Sequence, residues 1–172
     1  LNFNKKAMKN TIKTIALSIV LALIFINVSC LTTEERVQRT PELELSELTK
    51  ALSNLEADGY DIDTTDLGIF YIVHEEGSGA PAVAGNTISL KYAGYLLNGT
   101  LFDASSDHYE DGIWTFTYKD VALIPGFDDG IALMNKGMEL DIIIPSIYAY
   151  GAAGSGIIPP FSTLIFSLKM HD

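Results

Sequence analysis

The stretch YAYGAAGSGIIPP at residues 148–160 constrains the possible fold more than any other part of this chain. Its three glycines can take positive-φ backbone conformations that other residues resist, and its two final prolines fix φ and stiffen the exit from the loop. An apolar run follows at residues 161–170. Such a loop can cover a pocket, place a tyrosine hydroxyl in it and contribute two isoleucines to its wall. The pattern therefore favours an apolar pocket over a charged active site.

Alternating apolar and polar residues predict that much of the remaining chain forms strands. Residues 67–73 predict a first strand, and from Ile88 the alternation is that of a half-buried antiparallel strand. Asn98-Gly99 predicts a hairpin with a two-residue turn. The same alternation at residues 114–118 and 140–144 predicts two further strands.

One short helix interrupts these strands. Residues 128–136 carry two aspartates in the predicted first turn, and Gly137 follows the last turn. Many strands around one helix predict an α+β fold, in which a twisted antiparallel β-sheet wraps around the helix.

A second, amphipathic helix is predicted ahead of the sheet. Thr40 can cap its N-terminus, with Pro41 as the first helical residue. Leucines then recur at intervals of three and four, at positions 45, 48, 52 and 55. This stripe either packs against its own domain or forms the seam of a weak homodimer through residues 41–57. An acidic linker, residues 61–66, leads from this helix to the sheet.

The first thirty residues have the pattern of a bacterial lipoprotein signal. Lysines precede an almost continuous apolar block at residues 15–28, and Cys30 follows it closely. The block is shorter than the roughly 20 residues that a membrane-spanning helix needs. We therefore predict a signal peptide over residues 1–29 and acylation of Cys30, which would anchor the protein to a bacterial envelope membrane on its periplasmic or surface side. An uncleaved helix and a soluble secreted form stay open as alternatives, because Asn27 is unusual three residues before an acylated cysteine.

The charge of the chain argues against nucleic acid as a partner. The chain has 11 basic and 22 acidic side chains, which give a net charge of −11. Removal of residues 1–29 would take away four lysines and no acid, leaving seven bases against 22 acids and a net charge of −15. A chain this acidic repels phosphate backbones and anionic head groups.

Four motifs together resemble the FKBP-type peptidyl-prolyl cis-trans isomerase family. The loop at 148–160 is similar to the family's carboxyl-terminal signature, Tyr-Ala-Tyr-Gly followed by Gly-Ile-Ile-Pro-Pro. Upstream, LKYAGY at 90–95 resembles the strand with a pocket tyrosine, NGTLFD at 98–103 the hairpin ending in Phe-Asp, and LIPGF at 123–127 the element that opens the helix. The resemblance predicts an isomerase domain over residues 67–172, after a tether and the amphipathic helix at residues 30–66.

The resemblance implies an enzyme that speeds rotation about the bond before proline in exported polypeptides and so assists their folding. It implies no cofactor and no metal, because rotation needs neither a nucleophile nor a proton transfer. The proline ring would lie on Phe127, while the Tyr150 hydroxyl and the Ile124 N–H would bind carbonyl oxygens of the substrate. Asp103 would orient Tyr92 or polarise the substrate. The implied catalytic residues are Tyr92, Phe102, Asp103, Tyr150 and Phe166, and the implied substrate-binding residues are Trp114, Leu123, Ile124, Phe127, Ile157 and Ile158.

Three departures from the family pattern bear on specificity. Phe127 stands where tryptophan is usual, so the floor of the pocket is smaller and we expect weaker binding of macrolide inhibitors. Trp114 stands where the family usually has phenylalanine, which offsets part of that lost volume. The loop tip at residues 153–155 is one residue shorter than usual and lacks a His-Pro pair, so we expect substrate preference to differ there.

Two other interpretations stay open at the level of sequence. The loop at residues 103–111 contains His108 among several carboxylates, but it lacks the paired cysteines or regularly spaced histidines of metal sites, which favours a solvated loop. The pocket could instead serve a low-turnover binding or assembly module of a cell-envelope complex, which would hold one partner without accelerating rotation.

Overall fold

The computed structural model describes residues 38–171 of the chain. The predicted signal peptide and Cys30 lie outside the described residues. Among the residues that are described, no helix combines the length and the apolar character needed to cross a membrane. Arg39–Asp172 form one compact unit, so the predicted amphipathic helix belongs to the same unit as the sheet.

Two α-helices, seven strands and two single-turn 3₁₀ helices make up the described part. The helices are α1 (Pro41–Ala57) and α2 (Pro125–Leu133), and the 3₁₀ turns are Ser105–Asp107 and Ser146–Tyr148. The strands are β1 (Asp63–Thr64), β2 (Phe70–Glu75), β3 (Thr87–Leu96), β4 (Leu101–Ala104), β5 (Trp114–Thr117), β6 (Glu139–Ile144) and β7 (Leu164–Met170).

The seven strands form one antiparallel sheet, in which six follow the order β1-β2-β6-β7-β3-β4 and β5 pairs with β3 beside this path. Strand β3 is the longest, and one of its edges has two partners: residues 87–90 pair with β5, whereas residues 93–95 pair with β4. Its other edge pairs with β7 along seven residues, from Leu90 opposite Met170 to Leu96 opposite Leu164. The predicted α+β architecture, an antiparallel sheet with a helix packed on it and a second helix ahead of it, is confirmed.

Helix α2 packs against the sheet more closely than side chains would normally allow. A Cβ added to Gly126 would lie 2.3 Å from Cγ2 of Ile144, and one added to Gly130 would lie 2.7 Å from Cδ1 of Ile142. These glycines are one helical turn apart, so a bare strip of the helix faces two isoleucines of β6. The close contact fixes where the N-terminus of α2 lies, and with it Phe127.

Helix α1 begins as predicted, but the first residue of its buried face is not a leucine. The Thr40 hydroxyl accepts a hydrogen bond from the Leu43 N–H at 3.2 Å, as an N-cap should. Leu48 is buried, but Leu45 is 64% exposed, so of the two alternatives for the stripe, packing against its own domain does not hold for Leu45. The inward position one turn before Leu48 is taken by Glu44, which is only 8% exposed. Hydrogen bonds to the rest of the domain make this burial of a carboxylate possible.

Several predicted boundaries also differ from the structure. The acidic linker contains a short strand, β1, which pairs with β2, and β2 begins at Phe70 rather than at residue 67. The Asn98-Gly99 hairpin has three residues between Leu96 and Thr100, whose backbone groups bond at 2.9 Å, and Gly99 takes a φ of +83°.

Helix α2 lies about one turn earlier than predicted. It begins at Pro125, whose fixed φ suits the first helical position. It ends at Leu133 because Met134 is extended and its carbonyl accepts the Ala82 N–H at 2.9 Å.

Candidate active site

A cavity of about 430 Å³ opens where α2 begins against the sheet. Eight of the eleven residues that the family resemblance implied line it, and the ninth lining residue, Ala122, was not predicted. The lining residues are Tyr92, Asp103, Trp114, Ala122, Leu123, Ile124, Phe127, Tyr150 and Phe166. This set contains no serine, cysteine, histidine or lysine, and six of its nine side chains end in carbon or an indole.

Three aromatic rings, those of Tyr92, Phe127 and Phe166, form the base of this cavity, and we call them the aromatic floor. The Phe127 and Phe166 rings lie 4.8 Å apart at 74°, and the Tyr92 ring lies 6.0 Å from Phe127 and 6.4 Å from Phe166. All three pairs have the edge-to-face geometry that aromatic rings favour. The rings therefore brace each other and present a rigid apolar surface.

Gly94 makes room for this arrangement from the neighbouring strand. It pairs with Phe166 across β3 and β7. A Cβ at this position would lie 2.7 Å from the rings of both Phe102 and Phe166. The sequence motif contained this glycine, but its role becomes visible only when strand register is known.

Three of the predicted residues do not line the cavity. The Phe102 ring packs edge-on against Phe166, 5.4 Å between centroids, and so supports the floor from outside the cavity. Ile158 is buried in the main hydrophobic core, whereas Ile157 is 65% exposed on the loop. Direct contact of these three side chains with a ligand stays a prediction.

Asp103 connects Tyr92 to a histidine that sequence analysis did not place in the site. The Tyr92 hydroxyl donates to Oδ2 of Asp103 at 3.2 Å, and Nε2 of His108 lies 2.7 Å from Oδ1 of the same carboxylate. Burial, followed by the charge of Asp103 and the hydrogen bond to it, raises the pKa of Tyr92 well above its usual range. Tyr92 is thus a neutral phenol whose proton is directed at Asp103 rather than into the cavity.

Ser105 is a second residue that sequence analysis missed. Its side chain is buried, its hydroxyl donates to the Gly112 carbonyl at 2.6 Å, and its oxygen accepts the Tyr92 N–H at 3.1 Å. It therefore ties the loop after β4 to the backbone of the floor tyrosine. A serine among polar loop residues gave no sign of burial, so hydrophobic pattern could not have found it.

The loop that covers the cavity, residues 146–163, is called the pocket loop below. Its backbone is bonded to itself at several points: the Gly154 N–H donates to the Tyr150 carbonyl at 3.2 Å, and the Phe161 N–H donates to the Gly151 carbonyl at 2.9 Å. Gly154 has a φ of +64°, and a Cβ there would lie 2.4 Å from the Ile158 carbonyl oxygen. Position 154 therefore requires glycine, because any other residue would be strained by the positive φ and its Cβ would collide with this oxygen.

Two hydrogen-bond donors at the cavity have no partner within residues 38–171. The Tyr150 side chain is 37% exposed, and its hydroxyl bonds to no described residue. The Ile124 N–H immediately precedes α2 and likewise has no acceptor among the described residues. An apolar cavity with two available donors suits a ligand that has an apolar ring and flanking carbonyl groups.

The loop that holds Ile124 is itself fixed to α2. The Tyr118 hydroxyl donates to the Asp128 carbonyl at 3.0 Å, and Lys119 forms an ion pair with the Asp128 carboxylate. Lys119 has a φ of +73°, so the turn after β5 is tight. These contacts hold residues 122–124 at the rim of the cavity.

A larger groove of about 640 Å³ lies on the opposite face of the sheet, but its chemistry differs. Four of its charged or titratable side chains are already paired, since His74 lies 2.9 Å from Asp141 and Lys169 bonds to Glu139. An apolar ring in a polar, open groove would bury little apolar surface and would gain little from the hydrophobic effect. We therefore place the candidate active site at the smaller, aromatic cavity.

No group of three or more His, Cys, Asp or Glu side chains within the described residues is arranged to hold a metal ion. In the loop at residues 103–111, His108 contacts Asp103. The available chemistry is thus that of an apolar surface with hydrogen-bond donors.

Comparison with known proteins agrees with this geometry. The family model for FKBP-type peptidyl-prolyl cis-trans isomerases matches residues 79–171, more than half of the chain. The chain belongs to this family. Six of the nine lining residues of the cavity lie in the four sequence motifs that resemble the FKBP family, and all nine lie within the matched range.

The FKBP relatives differ in how much of their length this chain covers. An FK506-binding protein of Neisseria meningitidis is 41% identical over 97 residues, which are 56% of this chain and 87% of that protein. FkpA of Escherichia coli K12, an FKBP-type peptidyl-prolyl cis-trans isomerase, is 33% identical over 111 residues, which are 64% of this chain but only 40% of FkpA. A crystal structure of a peptidyl-prolyl cis-trans isomerase from Pseudomonas syringae pv. tomato superposes with a TM-score of 0.64 at 26% identity, covering 79% of this chain and 97% of that one.

Proposed function

We propose that the cavity catalyses rotation about Xaa-Pro peptide bonds in polypeptides, with the proline ring on the aromatic floor. The observation that carries this proposal is the pairing of an apolar, aromatic cavity with two available donors, the Tyr150 hydroxyl and the Ile124 N–H. Membership of the FKBP-type isomerase family supports it.

The energy that this reaction requires is within reach of such a site. Rotation about an Xaa-Pro bond has a barrier of about 18–20 kcal/mol, and a ~10⁴-fold acceleration requires removal of about 5–6 kcal/mol. Two hydrogen bonds to substrate carbonyls contribute about 1–3 kcal/mol net. The twisted amide is less polar than the planar one, so an apolar cavity that excludes water disfavours the planar state and supplies the remainder.

Each polar group then has a distinct task in the proposal. Tyr150 and Ile124 hold carbonyl oxygens on either side of the rotating bond, so one end of the substrate stays fixed while the other turns. Asp103 acts on the substrate indirectly, since its two oxygens already accept from Tyr92 and contact His108. It orients the Tyr92 ring, which is part of the aromatic floor.

A refolding assay tests this function. The full chain should accelerate the proline-limited refolding phase of a reporter protein, and Tyr150→Phe should lower kcat/KM by about tenfold, the effect of losing about 1.4 kcal/mol of transition-state binding. Tyr148→Phe is the matched control, because Tyr148 lies in the same loop but does not line the cavity. Binding of a proline peptide without any acceleration at micromolar protein would instead favour the low-turnover binding or assembly module.

We further propose that the substrates are exported proteins and that acylation of Cys30 anchors the enzyme to a membrane of the bacterial cell envelope. The apolar block before Cys30 supports this, as does the strongly acidic remainder, which keeps the domain soluble beside a membrane. Mass spectrometry of the Cys30 peptide after expression in a bacterium should detect the acyl chains. Cys30→Ser should release the protein from the membrane fraction, and an unchanged distribution would argue against the anchor.

Two finer proposals concern ligands and self-association. Phe127 should bind macrolide inhibitors more weakly than a tryptophan floor does, so Phe127→Trp should lower the Kd for such a compound. A weak homodimer through residues 41–57 would use Leu45, which is exposed next to the buried Glu44. Sedimentation of the full chain and of Leu45→Glu should then differ, and identical monomeric behaviour would rule the dimer out.

A further inference from the structure

One buried carboxylate of helix α1, that of Glu44, accepts hydrogen bonds from both ends of the pocket loop. Glu44 accepts hydrogen bonds from the Ser146 N–H at 2.6 Å, the Ser146 hydroxyl at 2.5 Å and the Thr163 hydroxyl at 2.9 Å. Ser146 lies where the pocket loop begins and Thr163 where it ends, and both are buried. A carboxylate 102 and 119 residues away in the chain thus holds the two ends together.

Arg39, just before the same helix, makes a second contact with the end of the loop. Its Nη2 donates to the Phe161 carbonyl at 2.8 Å, while Glu47 of α1 accepts from its Nη1 at 3.0 Å and so orients the guanidinium. Phe161 has a φ of +50°, a conformation that a residue with a Cβ adopts at a cost. Arg39 therefore contacts the loop at a strained residue, where an external hydrogen bond helps to hold the backbone.

The segment between these contacts carries Tyr150 and has little intrinsic stiffness over its first half. Three glycines with positive φ, at positions 151, 154 and 156, lie between Tyr150 and Ile158. Glycine loses more conformational freedom on ordering than any other residue, so such a loop needs its ends fixed if a side chain on it is to be held at a defined place.

We propose that Glu44 is a positioning residue of the isomerase site, and that α1 is part of the structure that places Tyr150 over the cavity. The consequence for catalysis rests on the proposed isomerase function, whereas the consequence for the order of the loop does not. A leucine at position 44 would occupy a similar volume. It would, however, leave three buried donors of Ser146 and Thr163 without an acceptor.

Three variants of the full chain separate positioning of the loop from general stabilisation. Glu44→Leu removes the acceptor and keeps the volume. Glu44→Gln keeps one carbonyl oxygen for the Ser146 N–H and Thr163, and its amide can donate to the Ser146 hydroxyl oxygen, so it should rescue most of the effect. Leu48→Ala is the matched control, because Leu48 is buried one turn further along the same face and does not bond to the loop.

Hydrogen exchange and kinetics give the two measurements. In Glu44→Leu, the amides of Gly154, Ile158 and Phe161 should exchange about tenfold faster relative to those of β3 and β7, and kcat/KM should fall by about tenfold. Glu44→Gln should change both by less than about threefold. Leu48→Ala should accelerate exchange in the loop and in the strands in parallel, as expected for a general loss of stability.

The exchange result decides the proposal even if the isomerase function is wrong. Faster exchange confined to the loop in Glu44→Leu would support the placement of the loop by Glu44 whether or not the parent chain catalyses refolding. Exchange that rises equally in loop and strands, or does not rise at all, would overturn it. A catalytically active parent with normal loop exchange and normal kcat/KM in Glu44→Leu would retain the isomerase function and remove Glu44 from the site.

Discussion

The aromatic floor and the pocket loop meet at one cavity but are held by different forces. The floor consists of three rings in mutual edge-to-face contact, with glycines at positions 94, 126 and 130 that let strand and helix approach closely. The pocket loop is rich in glycine, and its ends are held by hydrogen bonds that they donate to Glu44 and accept from Arg39. Apolar packing dominates the first region, and a few polar contacts dominate the second.

This difference suggests a division of tasks between the two regions. A packed floor provides a fixed apolar surface for the proline ring, because close-packed cores resist displacement. A loop with few anchors can open locally at a small cost in free energy, which allows a polypeptide segment to enter and leave. Substitutions in the floor should therefore reduce global stability, whereas substitutions in the loop should mainly change binding and turnover.

The largest effect is expected from removal of a floor ring. Phe166→Ala should lower the free energy of unfolding by about 3–5 kcal/mol, because it leaves a cavity beside Tyr92, Phe102 and Phe127. Denaturant unfolding measures this change. Ile157→Ala is the control from the loop: its side chain is mostly exposed, so its unfolding free energy should stay within about 0.5 kcal/mol of the parent. Equal losses in the two variants would contradict the contrast between floor and loop.

A smaller loss is expected where α2 meets the sheet. Gly126→Ala places a methyl group 2.3 Å from Cγ2 of Ile144, so the helix must shift, at a cost of about 1–3 kcal/mol. The shift should also move Phe127 and raise KM in the refolding assay. Ala132→Ser changes the exposed side of the same helix and should leave both quantities nearly unchanged. A fully stable Gly126→Ala protein would show that the helix has room to move.

Two glycines of the pocket loop allow strain and collision to be separated. Gly154 and Gly156 both have positive φ, so alanine at either position costs about 1–2 kcal/mol of backbone strain. Only at Gly154 would the new Cβ also collide, 2.4 Å from the Ile158 carbonyl oxygen, because nothing lies within 4 Å at Gly156. Gly154→Ala should therefore lower kcat/KM more than Gly156→Ala, at a similar thermal midpoint. Identical kinetics would mean that the loop relaxes freely around the added group.

Sequence patterns predicted the floor better than the elements that hold the loop. Tyr92 and Phe127 lie in motifs that resemble the FKBP family and Phe166 lies in the apolar run after the pocket loop, and the resemblance implied all three as pocket residues. The burial of Glu44 was not predicted, because no local pattern can indicate that Ser146 and Thr163 supply donors to it. His108 was assigned to a solvated loop for the same reason, since its partner Asp103 is brought near by the 3₁₀ turn between them. Buried polar contacts between distant segments depend on tertiary structure. They leave no periodic pattern of residue types in a single sequence, unlike the apolar face of a helix or a strand.

The smallest effect concerns the proton of Tyr92. Burial and Asp103 raise the pKa of this phenol above its ordinary value of about 10. Two other groups have raised pKa values as well: burial raises the pKa of Tyr118, and the hydrogen bond to Asp128 raises the pKa of Lys119. As pH rises above about 10, the unfolded chain releases the Tyr92 proton while the folded chain retains it, so stability that is complete below this pH is lost above it. Tyr92→Phe removes one such group and should reduce the slope of unfolding free energy against pH by at most ~1.4 kcal/mol per pH unit. Denaturant unfolding between pH 8 and about 11 measures this slope. An unchanged slope in Tyr92→Phe would mean that the phenol releases its proton as readily in the folded chain as in the unfolded one, which its burial beside Asp103 makes unfavourable.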